Sequence, residues 1–434
     1  MKIKIAYDFC CRFLKYYYPQ LLVATLGLIF GLLWSLSYYY IGLLILIPII
    51  FYFLDKLNSI IFIYFYYMAS TKSLPFILLR YKEYHHDFMG SFFVYQIIWI
   101  FYSFILVLPW LIVKYNKNND FLIKFNIFLI GFPLFIIFIP SFYLLGLASP
   151  LEAAGVLFPR LKLLGFILFY LLIIIIINLL NILTAYSHPK LQLSCENIVT
   201  IKTFMPNFIL FALICIVAIY SNEKYKKNEI PKKWIALSTK FETSSFNIYE
   251  LNYLKSVINN LLDNGYKIII LPENTVGIWP KNKKYWTDII IKANKKKSTI
   301  LSGAYTNFDN GSLTKKYDSS IVSFGYKNHI VYFTRQPIPL AGWIPFSSHG
   351  LNAHWLSKGV GWIDHRKVEF LVCFEELLPG LISSSFLSNN PPQFIVSVVN
   401  NLVGKNTGER RSQYNSIYLM SRLFDAPLIR SWNR

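Results

Sequence analysis

Long apolar stretches in the first half of the chain constrain its fold more than any other feature of the sequence. The chain has 434 residues, of which 55% are hydrophobic, and its mean hydropathy is +0.43. Typical soluble domains are only about 45–50% apolar. We therefore interpret the first part of the chain as a membrane region of about seven helices. The apolar stretches lie at 21–34, 38–54, 58–69, 91–113, 125–147, 163–184 and 207–220.

Positive charges before the first stretch predict how this region is oriented. The stretch 21–54 is too long for a signal peptide, and no small-residue cleavage pattern follows it. Because cytoplasmic segments carry an excess of lysine and arginine, the charges before the first stretch predict that the N-terminus lies in the cytoplasm. An odd number of crossings then predicts that the C-terminal part lies on the face opposite the N-terminus. The charges are Lys2, Lys4, Arg12 and Lys15.

From Trp234 the pattern changes to that of a layered α/β domain. Short apolar strands alternate with helical or turn segments, as in folds that cover a sheet with helices. We predict a membrane region at 1–220, a linker at 221–233 and an α/β domain at 234–434. A helix is predicted at 247–263, and strands are predicted at 267–271, 299–303, 319–324, 329–334, 369–373 and 394–399.

The net charge of +21 does not predict nucleic-acid binding. The lysines are scattered, the aromatic residues lie mostly in apolar stretches, and no recognised nucleic-acid module occurs. A basic surface also suits anionic lipid headgroups. The five cysteines show neither a metal spacing nor a disulfide framework, and no histidine spacing indicates a metal site.

Two reactive side chains follow two apolar runs of the second part. Glu273 follows the run Ile268–Pro272, and Cys373 follows the run Phe370–Val372. A thiol is a good nucleophile only as thiolate, and a carboxylate beside it can take its proton. The strand ends therefore predict one catalytic site.

The residues around these two positions resemble the signature order of the nitrilase superfamily. Together with a multispanning region, the chain resembles the apolipoprotein N-acyltransferases and, within them, is most similar to the TraB family of conjugal-transfer proteins. The motifs that carry the resemblance are Leu271–Thr275, Ser302–Ala304, Arg335–Pro339, Trp343–Pro345, Val372–Glu375 and Val396–Asn401.

The resemblance implies an αββα sandwich domain with a Glu-Lys-Cys triad. Glu273 would be the general base and Cys373 the nucleophile that forms a thioester. Arg335 stands where the acyltransferases have lysine, and it would help to hold the oxyanion. The chain stops at Arg434, where the acyltransferases continue, so the sandwich is expected to be trimmed. The residues expected to orient or bind substrate are Phe374, Glu375, Asn400 and Asn401.

The implied function is transfer of a fatty-acyl group from a membrane phospholipid to an amine, such as a lipoprotein N-terminus, within conjugal transfer and its machinery. No metal or organic cofactor and no direct nucleic-acid contact are implied. The implied location is the bacterial inner membrane, with the C-terminal domain on the periplasmic side. Because an arginine is not equivalent to a lysine, Arg335 leaves two alternatives open. One is a catalytically decayed component of a conjugation or secretion apparatus, and the other is an amidase that hydrolyses C–N bonds.

Overall fold

The protein is described by a computed structural model over residues 18–85, 92–115, 130–186, 196–227, 229–240, 248–307, 315–402 and 407–433. The basic residues used to predict the orientation, and part of the stretch 125–147, lie outside these ranges. The chain divides into two compact units, each built from several segments. The last change from the first unit to the second lies within the predicted linker 221–233, and the predicted domain boundaries stay a prediction. One unit comprises Met1–Lys72, Gln96–Ile137 and Leu147–Tyr225, and the other comprises Ser73–Tyr95, Phe138–Gly146 and Lys226–Arg434.

Five helices of the described part are long and apolar enough to cross a membrane. A multispanning membrane region is thus present, but the predicted count of about seven is not confirmed. The stretch 38–54 forms a shorter helix, Tyr38–Phe53, which has fewer than the roughly 20 residues that a helix needs to span the hydrocarbon core. The five long helices are Tyr18–Ser35, Lys56–Arg80, Phe93–Lys114, Lys162–Thr184 and Phe204–Lys224.

The stretch 125–147 is not one long helix where the structure describes it. It contains the short helices Gly131–Phe135 and Pro140–Gly146. Pro140 has no backbone N–H to continue an α-helix, so the helical run ends before it. Two further short helices, Pro150–Ala153 and Ala154–Leu157, follow.

Two glycines bring the first long helix close to its neighbour. A Cβ atom at Gly27 would collide with the carbonyl oxygen of Phe62, and one at Gly31 would collide with the carbonyl oxygen of Tyr66. Small residues four positions apart let membrane helices approach each other closely. The glycine pair therefore specifies which helices are neighbours in this unit.

The second unit contains two β-sheets. The order of the first sheet is β1 (Trp234–Ala236), β3 (Ile268–Leu271), β4 (Thr299–Thr306), β5 (Lys315–Gly325) and β6 (His329–Phe333), and β7 (His349–Leu351) pairs with β5. The order of the second sheet is β2 (Ser238–Thr239), β11 (Leu428–Asn433), β10 (Phe394–Asn400), β9 (Arg366–Val372) and β8 (Val360–Ile363).

Helices cover the outer face of each sheet. Alternate residues of β9, such as Phe370 and Val372, join the apolar core between the sheets, whereas Glu369 shares the Arg335 guanidinium with Ser385 on a covering helix. The four layers are therefore the αββα arrangement that the resemblance implies. The covering helices are α1 (Ile248–Asp263) and α2 (Thr287–Lys295) on the first sheet, and α3 (Pro379–Phe386) and α4 (Glu409–Phe424) on the second.

Candidate active site

Glu273 and Cys373 lie at the carboxyl ends of two central strands, one in each sheet. Glu273 follows β3 after one intervening proline. Cys373 directly follows β9 and begins the 3₁₀ helix Cys373–Leu377. Its backbone is left-handed, with φ of 47°. This conformation costs free energy in a residue other than glycine, and such strain concentrates at functional sites.

The structure brings the two predicted catalytic side chains together. The Cys373 thiol and the Glu273 carboxyl lie close enough for each to shift the proton affinity of the other. Asn400 links both, because its backbone N donates to Glu273 Oε2 at 3.1 Å and its carbonyl oxygen lies 3.9 Å from Cys373 Sγ. A thiol, a carboxylate and the end of β10 thus form one site.

Gly303 on β4 makes room for Glu273. A Cβ atom at this position would lie 2.5 Å from the Glu273 Cα and 3.1 Å from the Asn274 nitrogen. Both of these are backbone atoms, so the contact could not be relieved by a change of rotamer. The glycine therefore determines how closely the carboxylate-bearing loop approaches the sheet.

Burial is the main cause of the unusual proton affinities in the site. It raises the pKa of Glu273 to about 7. Burial, followed by the negative charge of Glu273, raises the pKa of the Cys373 thiol well above its usual range. At neutral pH the resting site is therefore a protonated thiol beside a carboxyl group that gains and loses a proton near that pH.

Glu375 lies beneath the turn that carries Cys373. Its side chain is fully buried, and burial raises its pKa above the usual range. One oxygen, Oε2, accepts a hydrogen bond from the backbone N of Val372 at 2.7 Å. The carboxylate thus joins the turn to the segment after β6. The donors to Oε1 are Tyr332 OH at 2.7 Å, Arg335 N at 2.7 Å and Gln336 N at 3.1 Å.

The Arg335 guanidinium is buried in an ion pair with Glu369 on β9. The Arg335 Nη2 lies 2.5 Å from Glu369 Oε1. The oxyanion role predicted for Arg335 stays a prediction, and it would require the guanidinium to leave its present partners. Its other acceptors are Tyr332 OH at 3.1 Å, the Leu381 carbonyl oxygen at 3.2 Å and Ser385 Oγ at 3.3 Å.

The remaining predicted residues surround the nucleophile in different ways. Phe374 is buried directly after Cys373. Asn400 contacts the site through its backbone, while its side-chain oxygen accepts from the backbone N of Leu402 at 3.3 Å. Asn401 is 4% exposed, and its side-chain nitrogen has no hydrogen-bond partner among the described residues. Their predicted role in substrate binding stays a prediction.

Sequence reasoning missed two contacts that support the turn. Gln413 Nε2 on α4 donates to the Cys373 carbonyl oxygen at 2.6 Å. Glu376 is fully buried and pairs with Arg430 on β11, whose Nε and Nη2 both donate at 2.8 Å. The double Glu375–Glu376 was the one available signal, since two successive carboxylates after a buried strand require partners.

The described residues contain no group of three or more His, Cys, Asp or Glu side chains that could hold a metal ion. The chemistry open to the site is that of a thiol and a carboxylate. Such a pair can attack an acyl carbonyl and carry the proton that the attack releases.

No family model matches the chain. Among curated proteins, it is similar to the probable conjugal transfer protein TraB of Sinorhizobium fredii, with 24% identity over 228 residues that cover 50% of this chain and 56% of the relative. It is also similar to the conjugal transfer protein TraB of Agrobacterium fabrum, with 26% identity over 174 residues, or 38% of this chain and 39% of the relative. The chain thus spans about half or less of the curated relatives it matches. These matches confirm the resemblance to TraB proteins.

The solved structures that match are carbon-nitrogen hydrolases of the nitrilase superfamily. One is a carbon-nitrogen hydrolase from Helicobacter pylori, with a TM-score of 0.33 and 12% identity, covering 46% of this chain and 72% of that chain. Another is an amidase from Nesterenkonia sp., with a TM-score of 0.29 and 9% identity, covering 46% of this chain and 74% of that chain.

Proposed function

We propose that the protein is a membrane-bound acyltransferase of the apolipoprotein N-acyltransferase and TraB type. It would move a fatty-acyl group from a phospholipid, through a thioester on Cys373, to an amine. The observation that carries the proposal is the Cys373 thiol, which is held in a left-handed turn at a strand end and shares Asn400 as a neighbour with the Glu273 carboxyl. A nucleophile and its base in contact are the minimum that acyl transfer through a thioester requires.

In the first step, Cys373 Sγ attacks the ester carbonyl of the phospholipid while Glu273 takes the thiol proton. The C–O bond then breaks, and Glu273 returns the proton to the departing alkoxide, so a lysophospholipid leaves. In the second step, an amine attacks the thioester carbonyl and loses a proton to Glu273. The C–S bond breaks, and the proton regenerates the thiol. Because the pKa of Glu273 is raised to about 7, the carboxyl can both accept and return a proton near neutral pH.

The setting of this chemistry is proposed to be conjugal transfer at the bacterial inner membrane. The two curated relatives are conjugal transfer proteins, and five helices suit a multi-pass protein. Five, like seven, is odd, so the same argument puts the α/β domain on the periplasmic side when the N-terminus is cytoplasmic. A lipoprotein or another exported amine would be the acceptor, and conjugation proteins would be partners.

The experiment that tests the proposal is the intact mass of the protein purified from native membranes. Wild type is expected to carry an adduct of fatty-acyl mass that hydroxylamine removes, and Cys373→Ala is expected to carry none. Cys215→Ala is the matched control, because Cys215 lies outside the α/β domain and should not change the adduct. Absence of an adduct from wild type after incubation with phospholipid would overturn the proposal.

A second candidate is a catalytically decayed fold that serves a conjugation or secretion apparatus without turnover. The observation that favours it is the Arg335 guanidinium, which is engaged with Glu369 and stands where related acyltransferases have lysine. It predicts that Cys373→Ala leaves conjugal DNA transfer intact, whereas deletion of residues 234–434 abolishes it. An amidase would share the nucleophile but release free acid to water, which a labelled acyl donor detects.

A further inference from the structure

Arg335 sits in a closed cradle. The side chain is 2% exposed, and all three of its guanidinium nitrogens donate to buried acceptors. A Cβ atom at Gly359 would collide with the guanidinium carbon and both terminal nitrogens. The missing side chain at Gly359 thus leaves the space that this guanidinium fills.

The backbone of Arg335 connects the cradle to the nucleophile. Its N–H donates to Glu375 Oε1 at 2.7 Å, and the other oxygen of Glu375 accepts from the N–H of Val372 at 2.7 Å. Val372 is the residue before the left-handed Cys373. Glu375 is therefore the bridge between Arg335 and the turn, and three of its four partners are backbone N–H groups that can only donate.

The guanidinium charge stabilises this bridge as a carboxylate. Burial raises the pKa of Glu369 to about 7 and raises that of Glu375 above its usual range, and the charge of Arg335 opposes both shifts. Without that charge, both carboxyls would bind protons more readily. A protonated Glu375 would carry an O–H donor that faces N–H donors, and the contact with Val372 would weaken.

We propose that Arg335 is a positioning residue: its charge keeps Glu375 an acceptor and so keeps Cys373 in contact with Glu273. It is not a donor to the oxyanion. The inference rests on the proposed function in that it treats Cys373 and Glu273 as the reactive pair. It deepens that function by explaining how an arginine can replace the lysine of the related acyltransferases without facing the substrate.

The test is the rate at which iodoacetamide alkylates Cys373 in the full-length protein, followed by peptide mass between about pH 5 and pH 9. In wild type the rate should show an inflection near pH 7 from Glu273. The thiol lies in the fields of Glu273 and Glu376, and Glu273 lies in those of Glu375 and Glu376. These groups are unchanged in all variants.

Arg335→Met is expected to lower the alkylation rate on the order of ten-fold near neutral pH and to remove the inflection, because the thiol loses its base. Arg335→Lys keeps a positive charge beside Glu369 and Glu375, and it should retain the inflection and bring the rate within about three-fold of wild type. Lys292→Met, which removes a surface ion pair with Asp263, is the matched control and should react like wild type.

Alkylation forms no oxyanion, so a pure oxyanion donor at position 335 predicts that Arg335→Met reacts like wild type. That result, or an Arg335→Lys variant no better than Arg335→Met, would overturn the inference; the second result covers the case in which neither variant folds. The readout needs no phospholipid or acceptor. If the alkylation pattern holds and no acyl adduct ever forms, the proposed function fails and the positioning role stands.

Discussion

Gly303→Ala should separate the general base from the nucleophile without altering either side chain. The added Cβ would lie 2.5 Å from Glu273 Cα, whereas an ordinary contact begins at 3.4 Å. The Glu273 backbone would therefore have to move by about 0.9 Å, and a misplacement of about 1 Å in a reacting group can cost on the order of 100-fold in rate. We expect a fall of about that size in the rate of thioester formation on Cys373.

The assay is single-turnover formation of the hydroxylamine-sensitive adduct with phospholipid in mixed micelles. Gly265→Ala is the matched control. Gly265 has φ of 79° and no atom within 4 Å of the added Cβ, so the substitution costs about 1–2 kcal/mol of backbone strain. Gly265 lies on the loop after α1, so the substitution leaves the residues of the site unchanged. Overpacking at Gly303 costs a similar ~1–3 kcal/mol. The two variants should therefore lose similar stability, while only Gly303→Ala loses reactivity.

A rate of adduct formation in Gly303→Ala within about three-fold of the wild-type rate would contradict the prediction, because the close approach of β4 would then not control the position of the base. An equal fall in the rate of adduct formation in Gly265→Ala would also contradict the prediction, because the effect would then be one of stability alone.

Three further predictions concern the groups around the turn. The folded state binds the Glu273 proton more tightly than the unfolded chain does, with pKa values of about 7 and 4.5. The stability that this proton contributes is therefore complete below pH 4.5 and is lost as the pH rises through 7. Glu273→Gln should flatten the fall in Tm over this range, and an unchanged fall would contradict the prediction. Arg430→Met leaves Glu376 buried without its cation and should cost about 3–5 kcal/mol in denaturant unfolding, most of which Arg430→Met/Glu376→Met should recover; equal losses in both variants would argue against the pair. Gln413→Leu removes a donor from the Cys373 carbonyl oxygen and should cost about 1–3 kcal/mol; a thermal scan that shows no change would mean that another group takes its place.

The reactive pair could be predicted from the sequence because it depends on local rules. Cys373 and Glu273 both follow short apolar runs, and the two stacked sheets bring the carboxyl ends of these strands to one edge. The helix Ile248–Asp263 and the strand Ile268–Leu271 were predictable for a similar reason, since the helix has a clear apolar period, the strand is a continuous apolar run, and each has a turn signal at its end.

The supports of the site could not be predicted, because their partners are distant along the chain. Glu376 pairs with Arg430 across 54 positions, and Arg335 pairs with Glu369 across 34. Nothing at Arg335 indicates that its guanidinium lies on Glu369, because the side-chain direction depends on the irregular backbone after β6. The helix count is not confirmed for a simpler reason, since an apolar stretch such as 38–54 shows composition but not whether a helix is straight and long enough to span a bilayer.

The buried groups around the thiol also have an uneven charge balance. Among the described residues, four carboxyl groups (Glu273, Glu369, Glu375 and Glu376) surround the turn, and two guanidiniums, Arg335 and Arg430, pair with them. Two of the carboxyls, Glu273 and Glu369, have pKa values raised to about 7. The excess negative charge is thus partly neutralised by bound protons at physiological pH. In the proposed acyl transfer, the residual negative field would favour a cationic amine and disfavour a phosphate headgroup, so an acyl donor would present its ester to Cys373 with the phosphate held away from these carboxylates.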